Sequence, residues 1–231
     1  MMHKSIHNKL KLNRFNFYGN ETDATVYNVR QKIFELKQIL NKAPHESSII
    51  YTSFSKVLDG SDMLTCLDLL TTELKQERTQ LVSTSDMAKQ LPVQKGLSLE
   101  VLWRNAIICS QHESDDIKQN LSRRYYKHIE AGFPFELVDG DNFHFQYSFL
   151  SEALKPFQNR RTLVISIIGP QNSGKSTLLN YMFGTLFDVR DGRCTRGIYG
   201  SFVKTDRSDF EYVMLIDTEG LLGIEREDPE Y

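Results

Sequence analysis

Val26, Val29, Ile33, Leu36 and Leu40 recur at intervals of three and four residues. That spacing lines one face of a helix and predicts one over 23–40. Pro44 and its polar neighbours end it. The run IIYTSFSKVL, 49–58, reads as a short strand. Asp59, Gly60 and Ser61 then form a turn into a second helix, 62–79, which buries Met63, Leu67, Leu70 and Leu74. LPVQKG, 91–96, is a connection. SLEVLWRNAII follows as a helix with Leu99, Leu102, Trp103 and Ile107 inward. The clearest periodicity lies in 113–131, where Ile117, Leu121, Tyr125 and Ile129 are spaced by fours. Gly132 and Pro134 stop that helix. An aromatic and acidic stretch, GFPFELVDGDNFHFQ, precedes a short helix in SFLSEALKPF. Residues 1–22 are polar and irregular.

The pattern changes at residue 162. LVISIIG is a near-continuous apolar run, suited to a central parallel strand covered on both faces. Gly169 ends it and STLLNYMFG opens a helix. A further apolar run, YVMLI at 212–216, ends at Asp217, and open α/β sheets place ligand chemistry at the carboxyl ends of such strands. The expected fold is therefore α/β: the N-terminal part of a phosphate-loop domain, a parallel sheet with flanking helices, preceded by a mostly helical region. The expected division is 1–96, mostly helical; 97–158, a helical segment; and 159–231, the phosphate-loop part.

The 231 residues are 25 % charged and 40 % hydrophobic, with a formal net charge of -2. Nothing global draws such a chain to nucleic acid, although Lys4, Lys9, Lys11 and Arg14 make the first residues locally basic. Cys66, Cys109 and Cys194 form no metal-spaced cluster, and an odd, sparse count points to a reducing compartment. No apolar run approaches the ~20 residues that span a bilayer, and no signal-peptide core follows the basic start. The cytoplasm is the expected location, with the nucleus as a second compartment.

GPQNSGKS, 169–176, matches G-x-x-x-x-G-K-[ST] in full, between a strand and a helix as that loop requires. Gly169 and Gly174 permit a backbone path that turns successive N–H groups toward phosphate oxygens. The helix N-terminus, with Ser173 and Thr177 on either side of Gly174, Lys175 and Ser176, adds a favourable dipole. Lys175 is placed to reach the β- and γ-phosphates, and Ser176 to set its hydroxyl on Mg²⁺. DTEG, 217–220, supplies Asp217 for a metal-bound water and the amide of Gly220 for the γ-phosphate. Between them, in DGRCTRGIYG, Thr195 sits where a loop brings a hydroxyl and a carbonyl to Mg²⁺. Arg193 and Arg196 flank it. Either offsets charge in the transition state, or both are solvated surface arginines. Cys194 has cationic neighbours but no nearby histidine, and is expected to have no catalytic role.

Other polar features have plainer readings. Glu136, Asp139 and Asp141 lack the spacing of a calcium loop. An acidic loop packed by Phe133, Phe135 and Phe143 against the nucleotide domain is expected. His128 and His144 read as structural or surface residues, and Trp103 as core.

GPQNSGKSTLLNYMFGTLFDVRDGRCTRGIYG followed by LIDTEGL resembles the interferon-inducible very large GTPases, and Arg193 to Gly197 is its most specific part. YYKHIEAGFPFELVDGDNF with SFLSEAL, 125–155, resembles the region before the GTPase domain of that family, and LSLEVLWRNA is a fainter match. The resemblance implies a dynamin-like, guanine-nucleotide-binding domain extending from a long helical region. It implies Mg²⁺-dependent GTP hydrolysis, with Lys175 and Ser176 serving phosphate and metal, Thr195 as the switch threonine, and Asp217 with Gly220 as the third nucleotide motif. Self-association through this domain is a family-based expectation.

Departures from relatives qualify the catalytic assignment. Leu221 stands where small regulatory GTPases usually carry the glutamine that orients water, so Gln171, Asn172, Glu219 or the backbone around Thr195 must do so; Asn172 and Gln171 rank first. Guanylate-binding proteins and atlastins carry an arginine where this chain has Asn172, whereas dynamins match better at Gln171. No base-reading motif follows Asp217. The expectation is a fragment of a larger protein, with apolar faces exposed, that binds GTP poorly by itself. A P-loop ATPase and a non-enzymatic scaffold remain the competing readings.

Overall fold

The computed structural model describes residues 12–13, 23–42, 47–85, 98–140, 145–170, 172–189 and 197–218. The chain divides into two compact units, 16–124, and 1–15 together with 125–231. The connection 91–96 lies outside the described residues.

The first unit is helical. It holds α1 (Asp23–Lys42), α2 (Ser47–Leu58), α3 (Met63–Ser85), α4 (Leu99–Ser110) and the start of α5 (Asp115–Glu130). The expected inward faces of α1, α3 and α4 are buried, among them Val29, Ile33, Leu36, Met63, Leu67, Leu70, Leu74, Leu102 and Trp103. The strand expected at 49–58 is instead α2. Ile50, Phe54, Val57 and Leu58 fall at i, i+4, i+7 and i+8, so a helix buries all four on one face. Thr52 and Ser53 donate their hydroxyls to the carbonyls of Ser48 and Ile49 at 2.9 Å, which satisfies them within the helix. Phe54 meets Trp103 edge to face, with ring centres 5.3 Å apart. Ser98 caps α4 by accepting from the Val101 amide. Ile117 departs from its expected inward position: it is 41 % exposed, while Leu121, Tyr125 and Ile129 are buried. The inward face of α5 therefore begins one turn later than the periodicity predicts.

The second unit is a sheet with flanking helices. Its elements are β1 (Leu12–Asn13), the end of α5, β2 (Phe135–Asp139), α6 (Tyr147–Leu154) with a 3₁₀ turn at Lys155–Phe157, β3 (Thr162–Ile167), α7 (Lys175–Phe183), β4 (Gly197–Thr205) and β5 (Tyr212–Thr218). The order runs β1–β4–β5–β3, and β2 shares β4's outer edge with β1. β3 and β5 are parallel, and the chain between them passes through both α7 and β4. β4 runs antiparallel to β5, because residues 206–211 form a short turn that only antiparallel neighbours can use. The sheet is thus mixed around a parallel pair. Residues 1–22 were expected to be irregular throughout, yet Leu12 and Asn13 pair with Thr205 and Lys204.

One sheet face is covered by Leu179 and Phe183 of α7 and by Phe187 just beyond it, packed on Val203, Val213 and Leu215. The other carries an aromatic cluster. Phe157 stacks on Phe202 at 4.3 Å and meets Tyr212 edge to face at 5.1 Å. β3 is not the doubly covered central strand that its apolar run predicts. Among the described residues it pairs only with β5, and Leu163 and Val164 are 37 % and 54 % exposed. Exposed apolar surface was expected, and β3 contributes Leu163 and Val164 to it.

The segment expected as an acidic loop at 133–143 is ordered as β2 over Phe135–Asp139, held to the sheet by backbone pairing rather than by aromatic packing alone. Asp141, Phe143 and His144 lie outside the described residues. Two glycines of β4 make this docking possible. At Gly200 a Cβ would come within 2.7 Å of the Phe135 ring. At Gly197, where φ is +92°, it would lie 2.1 Å from the Val138 carbonyl oxygen and 2.6 Å from the Gly140 nitrogen. Replacing Gly197 with alanine is therefore expected to lower stability by more than about 2 kcal/mol, read as a fall in the urea midpoint.

His128 is buried, as expected of a structural histidine, and stacks between Tyr125 and Phe133 with ring centres 5.6 and 4.9 Å away. Its Nε2 lies 3.1 Å from the Pro134 carbonyl oxygen. Burial pulls its pKa down to about 3, despite the opposing hydrogen bond. The unfolded chain takes up this proton below its ordinary value near 6.5, whereas the folded chain resists until about 3. Stability is therefore expected to fall as pH drops through that window. Urea midpoints at pH 7 and pH 4.5 should show His128→Phe losing less stability than the parent over this interval.

Candidate functional site

The parallel pairing of β3 with β5 sets Ile167 opposite Asp217. Thr218 fastens the same ends by donating its hydroxyl to the Ile167 carbonyl at 2.8 Å. Asp217 thereby stands beside the point where the chain leaves β3 for the loop at 169–174. Side chains alternate along a strand, so Val213, Leu215 and Asp217 share a face, the one covered by α7. Asp217 is 1 % exposed, and its Oδ2 accepts a 2.6 Å hydrogen bond from the Ser176 hydroxyl. The first turn of α7 and the end of β5 are joined there, across 41 residues of sequence.

Among the described residues of the loop, two are left-handed. Gly174, at φ 78°, is one, and a Cβ on it would meet nothing within 4 Å, so its backbone angle rather than space calls for glycine. The other is Asn172, at φ 58°, and not Gly169 as the motif alone suggests. Asparagine tolerates this region better than most residues. Ser173 closes the turn by donating to the Pro170 carbonyl at 2.8 Å. Among the described residues no side chain caps the start of α7. Its first-turn amides and the helix dipole make that end suited to an anion.

Lys175 folds over the same loop. Its ammonium donates to the carbonyls of Gly169 at 3.2 Å and Pro170 at 2.9 Å. The cation is thus held where a phosphate would compete with two neutral carbonyls for it, an exchange that favours the charged acceptor. Thr177 is exposed and lines, with Lys175, Gly169, Ile168 and Tyr181, an open cleft of about 590 Å³ beside the loop. The described structure therefore brings Gly169, Asn172, Ser173, Gly174, Lys175, Ser176, Thr177 and Asp217 into one region. Gln171, Arg193, Thr195, Arg196 and Gly220 lie outside the described residues, as do Cys194, Glu219 and Leu221.

Among the described residues no three His, Cys, Asp or Glu side chains gather as a metal cluster. Mg²⁺ does not require one. It keeps several waters and is usually held by one or two carboxylates together with substrate phosphates. A hydroxyl and a carboxylate 2.6 Å apart beside this loop are a hard-oxygen donor set that fits this ion.

Sequence reasoning did not anticipate that Thr218 ties the two strand ends together, or that Asn180 binds the chain beyond α7. Asn180 interrupts the apolar run of STLLNYMF, which was the available signal. Ser176→Ala is expected to destabilise the protein by about 2 kcal/mol, because it removes a donor to a buried carboxylate. Ser176→Thr should retain most of that stability in the same urea titration.

A family model described as the URGCP-like GTPase domain matches residues 99–230. The chain is 42 % identical over 100 residues to interferon-induced very large GTPase 1 of Mus musculus, a match covering 39 % of this chain and 4 % of that protein. It is 50 % identical over 70 residues to protein SEY1 homolog 1 of Entamoeba histolytica, covering 28 % and 7 %. Up-regulator of cell proliferation of Bos taurus is 34 % identical over 102 residues, covering 40 % and 11 %. The chain thus spans about a tenth or less of the length of these relatives.

Proposed function

The chain belongs to the URGCP-like GTPase domain family, and from that premise we propose that it forms the phosphate- and magnesium-binding part of an enzyme that binds and hydrolyses GTP. The observation that carries this reading is the 2.6 Å bond from Ser176 to Asp217. It joins the hydroxyl of a complete phosphate loop to the carboxylate ending a buried strand. Ser176 and Asp217 would hold Mg²⁺, with Thr195 as a further ligand; bound there, the ion offsets negative charge on the β- and γ-phosphates.

The protein's own groups do the remaining work. The amides of Gly169 and of Asn172 to Gly174, with those of the first turn of α7, receive the phosphates, Pro170 having no N–H to offer, and Thr177 borders them. Lys175 exchanges the carbonyls of Gly169 and Pro170 for phosphate oxygens. The Gly220 amide meets the γ-phosphate. Leu221 cannot orient water, so Gln171 and Asn172 are assigned that task. Asn172 is exposed on the loop, with a left-handed backbone. Arg193 or Arg196 offsets charge that develops in the transition state. Turnover belongs to the full-length protein, where guanine recognition and self-association through this domain also reside. The cytoplasm is the proposed site of action, and no described helix is long and apolar enough to cross a membrane.

Calorimetric titration of full-length protein with GTPγS and ATPγS, each with Mg²⁺, tests the reading. Saturable binding of only the guanine analogue is expected. Lys175→Ala should weaken that binding at least about 100-fold and abolish turnover, because one charged partner of the phosphates is lost. Unchanged turnover in that variant would overturn the role given to Lys175. Equal binding of the adenine analogue would overturn the choice of GTP.

A further inference from the structure

Strand pairing ends unevenly around Asp217. Among the described residues, the last pair on the β3 side is Ile167 with Asp217. On the β4 side pairing reaches one residue further, to Ile198 with Thr218. Beyond Ile167 the chain leaves the sheet for the phosphate loop. Ile168 is 69 % exposed, so burial does not hold the root of that loop, and β3 itself is thinly covered at Leu163 and Val164. The Thr218 hydroxyl supplies what packing does not. It donates to the Ile167 carbonyl at 2.8 Å, one position past the last pair. Alternation along β5 puts Thr218 on the face opposite Asp217, and its hydroxyl reaches sideways to β3 while its backbone pairs with β4. Thr218 thereby ties three strands together at the residue that follows Asp217.

Two holders must keep a fixed spacing here. The loop that starts after Ile167 is assigned the phosphates, and Ser176 with Asp217 is assigned the Mg²⁺ that those phosphates share. In this structure the 2.6 Å bond from Ser176 to Asp217 also joins the two holders. When both of those oxygens turn to a cation, that bond is given up, and the bond from Thr218 remains to tie β5 to the root of the loop. We infer that Thr218 is a positioning residue for metal binding, its hydroxyl setting the spacing between the loop and Asp217 at which one Mg²⁺ can meet both Asp217 and the phosphates. This rests on the GTPase reading above. An error in that spacing lowers affinity only where one ion must meet both holders. Without the ion the loop still grips phosphate, because its own bonds, from Ser173 to Pro170 and from Lys175 to Gly169 and Pro170, do not involve Thr218.

Thr218→Val and Thr218→Ser in the full-length protein test this, by GTPγS titration over a series of Mg²⁺ concentrations and in EDTA, with a thermal melt of each variant. Valine keeps the branched shape that suits a strand and removes the donor. In Thr218→Val the Mg²⁺ concentration giving half-maximal GTPγS binding is expected to rise about fivefold, the scale of one hydrogen bond, while affinity in EDTA stays within about twofold of the parent. Thr218→Ser keeps the donor and should show the parental Mg²⁺ dependence, a readout that stands even if the valine variant does not fold. A folded valine variant with parental Mg²⁺ dependence would overturn the inference. So would an equal loss of affinity with and without Mg²⁺, or a shifted Mg²⁺ dependence in the serine variant. Those outcomes leave the GTPase reading standing. A parent that binds no guanine nucleotide overturns that reading, and the inference with it.

Discussion

The parallel pairing of β3 with β5 is the constraint on which the rest of the second unit depends. Its register sets Ile167 opposite Asp217, so the loop leaving one strand starts beside the acid ending the other. A slip of one residue would turn Asp217 to the opposite face of the sheet, away from α7 and Ser176. The register is specified by burial. Val213 and Leu215 must meet Leu179 and Phe183, and Asp217 follows them by alternation. Packing of the apolar face thus delivers a carboxylate to a serine hydroxyl, and the Thr218–Ile167 hydrogen bond secures the junction.

β4 supports the arrangement from the other side, and its glycines have separate purposes. Gly200 leaves space for the Phe135 ring, while Gly197 combines a left-handed backbone with close contact to the turn after β2. The segment before the phosphate loop is therefore part of the sheet. This agrees with the reach of the family match, which begins at residue 99, well upstream of the loop. α5 ends at Glu130, five residues before β2 begins at Phe135. The stacking of His128 between Tyr125 and Phe133 fastens the helix end to that strand's approach.

Much of this was legible in the sequence. The periodicity of α1, α3 and α4 identified their buried faces, because a helix must turn one stripe of side chains to the core. The phosphate-loop motif, its flanking strand and helix, and the acid after YVMLI singled out Ser176 and Asp217, which the fold joins by a hydrogen bond, and Lys175 beside them. Where local signals were ambiguous, tertiary contacts ruled. IIYTSFSKVL contains both strand formers and a helical stripe, and burial against Trp103 selected the helix. The aromatic and acidic stretch before α6 has no clear period, yet β4's open edge and two glycines made Phe135–Asp139 a strand. An apolar run specifies that a strand can be covered, not that partners are present, so β3 retains exposed Leu163 and Val164. Two further facts were invisible to sequence spacing. One is that Ser176 and Asp217, 41 residues apart, share a hydrogen bond; the other is that Asn180 grips the backbone of Phe187. Sequence by itself determined which residues are proposed to carry the chemistry, since that choice rests on charge and hydrogen-bonding capacity. Only the tertiary structure decided which of them meet, because that depends on strand register and on the packing that enforces it.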